Sequence, residues 1–127
     1  MKELRLVKII LRIGIFGTFL GHGVLALTVH PQWIPFLTVF GISVDDAMAL
    51  MPLIGLLDLV VASTILFYPL KIVLFWAVFW TFLTALMRPV SGSDIWPFIE
   101  RFSFWAAPMA LLLLNGLPKK LSDLFTI

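Results

Sequence analysis

Apolar residues run along this chain in long stretches, broken only by short segments that carry proline, glycine or charge. Residues 13–26, 47–57 and 72–87 are apolar almost all round and lack the polar stripe that a helix facing water requires. A helix needs about 20 apolar residues to cross the hydrocarbon core of a bilayer. The spacing of the breaks predicts four such helices, over about residues 4–29, 44–67, 71–88 and 94–115. The connections are short, so residues 1–127 form one domain. The expected fold is all-α: an integral membrane four-helix bundle, antiparallel, up-down-up-down.

The breaks have local causes. His30-Pro31 ends the first helix, and Ser43 with Asp45 and Asp46 opens the second, the hydroxyl and the carboxylates suiting the free amides and positive dipole of a helix start. Pro52 should bend that helix, and the tight Tyr68-Pro69-Leu70 turn should return the third beside it. Pro89 is expected to stop the third helix, and Asp94 to cap the fourth with Pro97 in its first turn, before an end near Asn115-Gly116. The connection from Pro31 to Ile42 carries Trp33, Pro35, Phe36 and Phe40, apolar enough to lie in the interface or roof the bundle. Gly14, Gly17 and Gly21 recur at three- and four-residue spacing in the first helix, and Gly17 to Gly21 is a GxxxG pattern. Another helix should pack closely on that face.

Composition agrees: 61% of residues are hydrophobic and 13% charged, against roughly 45–50% and 25% for soluble domains. The net charge of +2 does not point to nucleic acid, because the basic residues sit at helix ends rather than in one stripe. Their placement sets the orientation instead. Lys2, Arg5, Lys8, Arg12, Lys71, Lys119 and Lys120 fall at one end, and Arg88 and Arg101 in the other half, so both termini are expected on the cytoplasmic side of the cell membrane. The basic N-terminal stretch resembles a signal sequence, but without a convincing cleavage site it reads as a retained first helix. With no cysteine, the chain itself cannot carry out thiol–disulfide exchange or ligate an iron–sulfur cluster through thiolates. No nucleotide-binding glycine loop, serine triad or metalloprotease motif is present, which leaves hydrolase and kinase readings without support.

Charge at membrane depth costs at least ~2.5–3.5 kcal/mol on insertion scales, so ionisable residues there should face the bundle interior. Five stand out: His22, Asp58, Arg88, Glu100 and Arg101. Helical spacing puts Ala77, Thr81, Thr84 and Arg88 on one face of the third helix, Met51, Gly55, Asp58, Ala62 and Ile65 on one face of the second, and Trp96, Glu100, Ser103 and Ala107 on one face of the fourth. The resulting expectation is a polar pocket of His22, Asp58, Thr81, Thr84, Arg88, Glu100 and Arg101 in the outer half of the bundle. Trp33, Trp80 and Trp96 would form its aromatic wall or lid.

Each residue also has a structural alternative. His22 could serve as an interhelical hydrogen bond, as a ligand contact or proton-transfer group, or as a metal ligand. His30 is about 12 Å further along the same helix, so the two histidines cannot share an ion, and no metal or haem is expected from this chain alone. Arg88 and Glu100 suit either an ion pair or a substrate clamp, and Arg101 suits snorkelling to the headgroups. Asp58, nearer the midplane, suits proton exchange or, as a neutral acid, donation to a carbonyl freed by a proline. The tryptophans suit an interfacial belt, or stacking on a planar ligand.

Leu11-Arg12-Ile13-Gly14, Phe19-Leu20-Gly21-His22-Gly23, Met87-Arg88-Pro89, Glu100-Arg101 and Pro108-Met109-Ala110-Leu111-Leu112 together resemble the DoxX-like family over the full length. The resemblance implies a small four-helix membrane protein, and for some members an association with thiosulfate and quinone oxidoreduction or oxidative-stress complexes. Distant relatives act as assembly chaperones or cargo receptors. It also implies site positions at His22, Arg88 and Glu100-Arg101. Val24-Leu25-Ala26-Leu27 stand where that family often has a lysine. The leading expectation is an accessory subunit of a membrane redox system that binds a quinone or another small lipophilic ligand. An assembly or scaffold protein docking a second membrane protein is the next. A proton-coupled carrier ranks last, since four helices without an internal repeat would have to oligomerise to build an alternating-access path. Any of the three would work in the bilayer as a homo-oligomer or a hetero-complex.

Overall fold

A computed structural model describes Met1–Ile127, and every regular element in it is helical. The order is α1 (Lys2–Leu27), a 3-10 turn (Pro31–Trp33), α2 (Ile34–Thr38), α3 (Val44–Phe67), α4 (Lys71–Val90), α5 (Trp96–Ile99), α6 (Phe102–Asn115) and a final 3-10 turn (Leu121–Phe125). Four stretches are long and apolar enough to cross a membrane: α1, α3, α4, and α5 with α6 taken together.

Where the helices begin and end follows from who satisfies the free backbone groups. At the start of α3 the Ser43 hydroxyl accepts from the Asp46 amide at 3.1 Å, with Asp45 and Asp46 in the first turn. Pro52 lies within α3, which continues unbroken past it. The end of α1 is a Schellman closure: the His30 amide donates to the Leu25 carbonyl and the Val29 amide to that of Ala26, both at 3.1 Å. The position that usually takes glycine in this motif is here Val29, at φ 53°. That left-handed conformation strains a β-branched residue.

Three expectations about the elements are corrected. Pro89 does not stop the third helix, which runs on through Val90. A proline in the last turn costs only one backbone bond, and Ser91 and Ser93 close the end by donating from their amides to Met87 and Arg88. Asp94 caps nothing, the fourth stretch opening instead from Ile95. That stretch is also not one helix, because it breaks at Glu100-Arg101. The Arg101 guanidinium donates to the Pro97 carbonyl at 2.8 Å, the acceptor that an unbroken helix would offer to the Arg101 amide. That amide turns to Phe98 at 3.2 Å, and the helical phase is lost.

In the bundle α1 packs most extensively on α3, and α4 on α6, while α1 also meets α6. α3 and α4 touch one another far less. One core joins all four: Ile15 and Phe19 from α1, Val61, Ala62 and Ile65 from α3, Leu74 and Ala77 from α4, and Leu111 and Leu112 from α6. Arg12 secures the end of α3, its guanidinium donating to the Ile65 carbonyl at 3.2 Å and to that of Leu66.

The close approach of α1 and α3 runs through glycines other than those expected. A Cβ on Gly55 would stand 2.6 Å from the Leu27 backbone nitrogen and 2.7 Å from the Gly23 carbonyl oxygen. One on Gly23 would stand 3.1 Å from the Gly55 oxygen. Gly14, Gly17 and Gly21 meet nothing within 4 Å, so the GxxxG face is not a packing face within this chain. The reason is rotational. The side of α1 that carries Ile15, Phe19, Gly23 and Ala26 is turned inward, and the Gly14–Gly17–Gly21 side points away from the core.

Candidate functional site

Between α1, α3 and α4, beneath the α1–α3 connection, lies a partly open cavity of about 90 Å³. α1 contributes Phe19, His22 and Ala26, and α3 contributes Met51, Ile54 and Asp58. α4 contributes Trp80, Thr81, Thr84 and Arg88, and the roof consists of Trp33, Phe36 and Leu37. The roof residues stand on the 3-10 turn and the single turn of α2, segments that prolines at positions 31 and 35 start in helical geometry.

The polar groups of this cavity are poorly matched within the protein. Asp58 is only 3% exposed, and its Oδ1 is buried without a hydrogen-bond partner. Arg88 is 8% exposed. Its Nη1 donates to the Thr84 carbonyl at 2.6 Å, and its Cζ lies 5.1 Å over the Phe36 ring. A cation–π contact contributes about 2 kcal/mol or more when desolvated, and a guanidinium has five donors to satisfy. The only ion pair of the chain joins Arg101 to Glu100, so neither Arg88 nor Asp58 is neutralised by a salt bridge. Thr81 and Thr84 donate to the Ala77 and Thr81 carbonyls of their own helix, at 2.6 and 3.1 Å, and keep hydroxyl lone pairs free to accept. His22 is held by rings, 5.4 Å from Trp33 and 5.7 Å edge-on to Phe104, and Trp33 in turn meets His30 at 5.1 Å. The site thus offers donors on Arg88 and an oxygen on Asp58, between apolar and aromatic walls.

Of the residues expected at the pocket, His22, Asp58, Thr81, Thr84, Arg88, Trp33 and Trp80 line this one cavity. Glu100, Arg101 and Trp96 do not. The Glu100 side chain is 67% exposed and Trp96 69% exposed. Arg101 is committed to Pro97 and Glu100. The expected inward face of the fourth helix assumed unbroken periodicity, and the break at Glu100-Arg101 removes it. Of the two alternatives for Arg88 and Glu100, the ion pair is absent, Glu100 pairing with its sequence neighbour instead. Phe19, Ala26, Phe36, Leu37, Met51 and Ile54 complete the walls. Of these, Phe36 had a signal in the sequence, as an aromatic in an unusually apolar connection, and so did Met51, on the same helix face as Asp58.

Set beside known proteins, the chain matches no family model, no curated protein and no solved structure. The class of the protein therefore rests on its own geometry: an all-helical bundle with four helices long and apolar enough to cross a membrane.

Proposed function

We propose that this chain is a multi-pass membrane protein of the DoxX-like kind, its four helices antiparallel and both termini cytoplasmic. In that role it serves as an accessory subunit of a membrane redox system, and its cavity binds the head of a quinone or a similar small lipophilic molecule. The observation that carries this reading is the pairing of two unneutralised groups, Asp58 and Arg88, in one largely apolar cavity. Burying either alone is costly, and a molecule with a polar oxygen towards each would satisfy both. Large apolar side chains such as Leu53, Leu56, Val60 and Phe79 cover the outside of the bundle, as a lipid-facing surface requires.

The residues fit a quinone head in chemistry. Arg88 could donate to one ring oxygen, Asp58 Oδ1 is where a proton would be held near another, and Trp33 and Trp80 offer faces for a planar ring. A bound quinone would supply the two-electron chemistry for which this chain has no cysteine. In size the fit requires movement: a benzene-binding cavity measures about 150 Å³, against about 90 Å³ here. The roof of Trp33, Phe36 and Leu37 has to lift for a ring to enter.

The test is mass spectrometry of small molecules extracted from protein purified in mild detergent, with Asp58→Asn, Arg88→Gln and His22→Ala prepared in parallel. A near-stoichiometric quinone retained by the wild type and lost from folded Asp58→Asn and Arg88→Gln is the expected result. Bulk lipid alone in every sample would remove the ligand-binding reading. A second reading, a scaffold that docks another membrane protein, is favoured by the Gly14, Gly17 and Gly21 face, which has no partner in the chain. It predicts that Gly17→Leu abolishes complex formation while the cavity variants do not.

A further inference from the structure

Below the cavity, along the sparse seam between α3 and α4, lies a second hollow of about 400 Å³. It is a groove walled by Leu57, Val60 and Thr64 on α3 and by Ile72, Val73 and Trp76 on α4. It shares no lining residue with the cavity but adjoins it at two points. Leu57 is the sequence neighbour of Asp58, and Trp76 of the groove stacks on Trp80 of the cavity, their rings 5.2 Å apart and 13° from parallel. The one hydroxyl on its wall, that of Thr64, donates to the Val60 carbonyl at 2.9 Å and so presents a methyl-bearing, apolar surface. From Leu57 to Thr64 the groove follows α3 for about 10 Å at 1.5 Å per residue.

We infer that this groove is the tail subsite of the ligand whose head occupies the cavity, and that the ligand is a single-tailed amphiphile: a small oxygen-bearing head with one flexible hydrocarbon chain. The inference rests on the head-binding reading above and adds the chemistry of the rest of the molecule. The cavity is too small to enclose more than a head. A tail attached there has to leave between helices, and α3 and α4, two long helices that both line the cavity, meet only sparsely, with the groove along their seam. The head end is polar and the groove carries no charged group, so the direction of binding is set: head towards Arg88, tail past the Trp76–Trp80 stack towards the Tyr68-Pro69-Leu70 turn. Since bilayer lipid already solvates a free tail, the gain comes from packing against a preformed wall and is modest.

The experiment uses the full chain in lipid nanodiscs and two probes with the same dimethoxy-methyl-benzoquinone head, one without a tail and one with a ten-carbon tail, followed by quenching of tryptophan fluorescence. The groove is filled in two separate variants, Thr64→Phe and Val60→Phe. Taking the tailed-to-tailless affinity ratio in wild type over that in each variant cancels partitioning into lipid. The expected ratio of ratios is about tenfold, the scale at which a short chain's many small dispersion contacts become measurable, with tailless binding unchanged in the variants. A ratio of ratios near one in both variants, with the tailless probe bound in an Asp58-dependent way, overturns the tail subsite, assigns the groove to bilayer acyl chains and leaves the head site standing. If neither probe binds in a manner sensitive to Asp58→Asn, the head reading fails and the tail subsite falls with it.

Discussion

Adding one methyl group to Gly55 should do what the same change at Gly17 does not. At Gly55 the new carbon would sit 2.6 Å from the Leu27 nitrogen and 2.7 Å from the Gly23 oxygen. Ordinary contact lies at about 3.5–4.0 Å, so α1 and α3 would have to separate by about 1 Å. Both obstacles are backbone atoms and cannot rotate aside as a side-chain end would. Overpacking of this kind costs about 1–3 kcal/mol. Separation also loosens neighbouring contacts along the seam, each worth ~0.1–0.2 kcal/mol per atom pair. Alanine returns up to about 1 kcal/mol in helix propensity, leaving Gly55→Ala destabilised by about 2 kcal/mol. At Gly17 a Cβ meets nothing within 4 Å, so Gly17→Ala keeps the propensity gain and should be neutral or up to about 1 kcal/mol more stable. Equilibrium unfolding in mixed micelles with increasing dodecyl sulfate, followed by tryptophan fluorescence, measures both. Gly55→Ala as stable as the wild type would refute the close α1–α3 approach. A loss at Gly17→Ala as large as at Gly55, and dependent on protein concentration, would mean that a second chain covers the outer face of α1.

Three further outcomes are expected. Asp58→Leu should stabilise the bundle by about 1 kcal/mol or more while abolishing ligand retention, because a well-packed apolar side chain does not incur the cost of burying a carboxyl whose Oδ1 has no partner; the same unfolding assay with ligand analysis checks it, and a destabilised variant would mean that Asp58 is already satisfied inside the protein. Arg12→Ala should lose about 1–2 kcal/mol by releasing the Ile65 and Leu66 carbonyls at the end of α3, with Arg12→Lys recovering part, and unchanged unfolding would show that the contact carries no stability. Since the chain contains no cysteine, Lys2→Cys and Ser93→Cys report topology without background: in intact cells an impermeant maleimide should label position 93 and not position 2, and the reverse pattern would invert the proposed orientation.

Much of the site is legible in the sequence because helical periodicity is local. The small-residue face of α3 around Asp58 and the Thr81–Thr84–Arg88 face of α4 follow from counting along one unbroken helix, and both turn inward. The fourth stretch defeated the same count. Arg101 reaches back to Pro97 and resets the phase, and nothing in residue spacing announces that a guanidinium will compete with its own backbone amide.

The sequence alone was enough for the number of long apolar helices, most of their ends and the character of the residues on two inner faces. Those depend on hydropathy, prolines and caps that act within a few residues of themselves. It could not say which side of α1 meets α3. Both Gly14–Gly17–Gly21 and Gly23 are small, and the choice between them came from the packing of Ile15, Phe19 and Ala26 into a core shared by all four helices. Nor could it show that Asp58 and Arg88 share one cavity without a salt bridge between them. That depends on how far apart α3 and α4 are held, a distance set by side chains from every part of the chain at once.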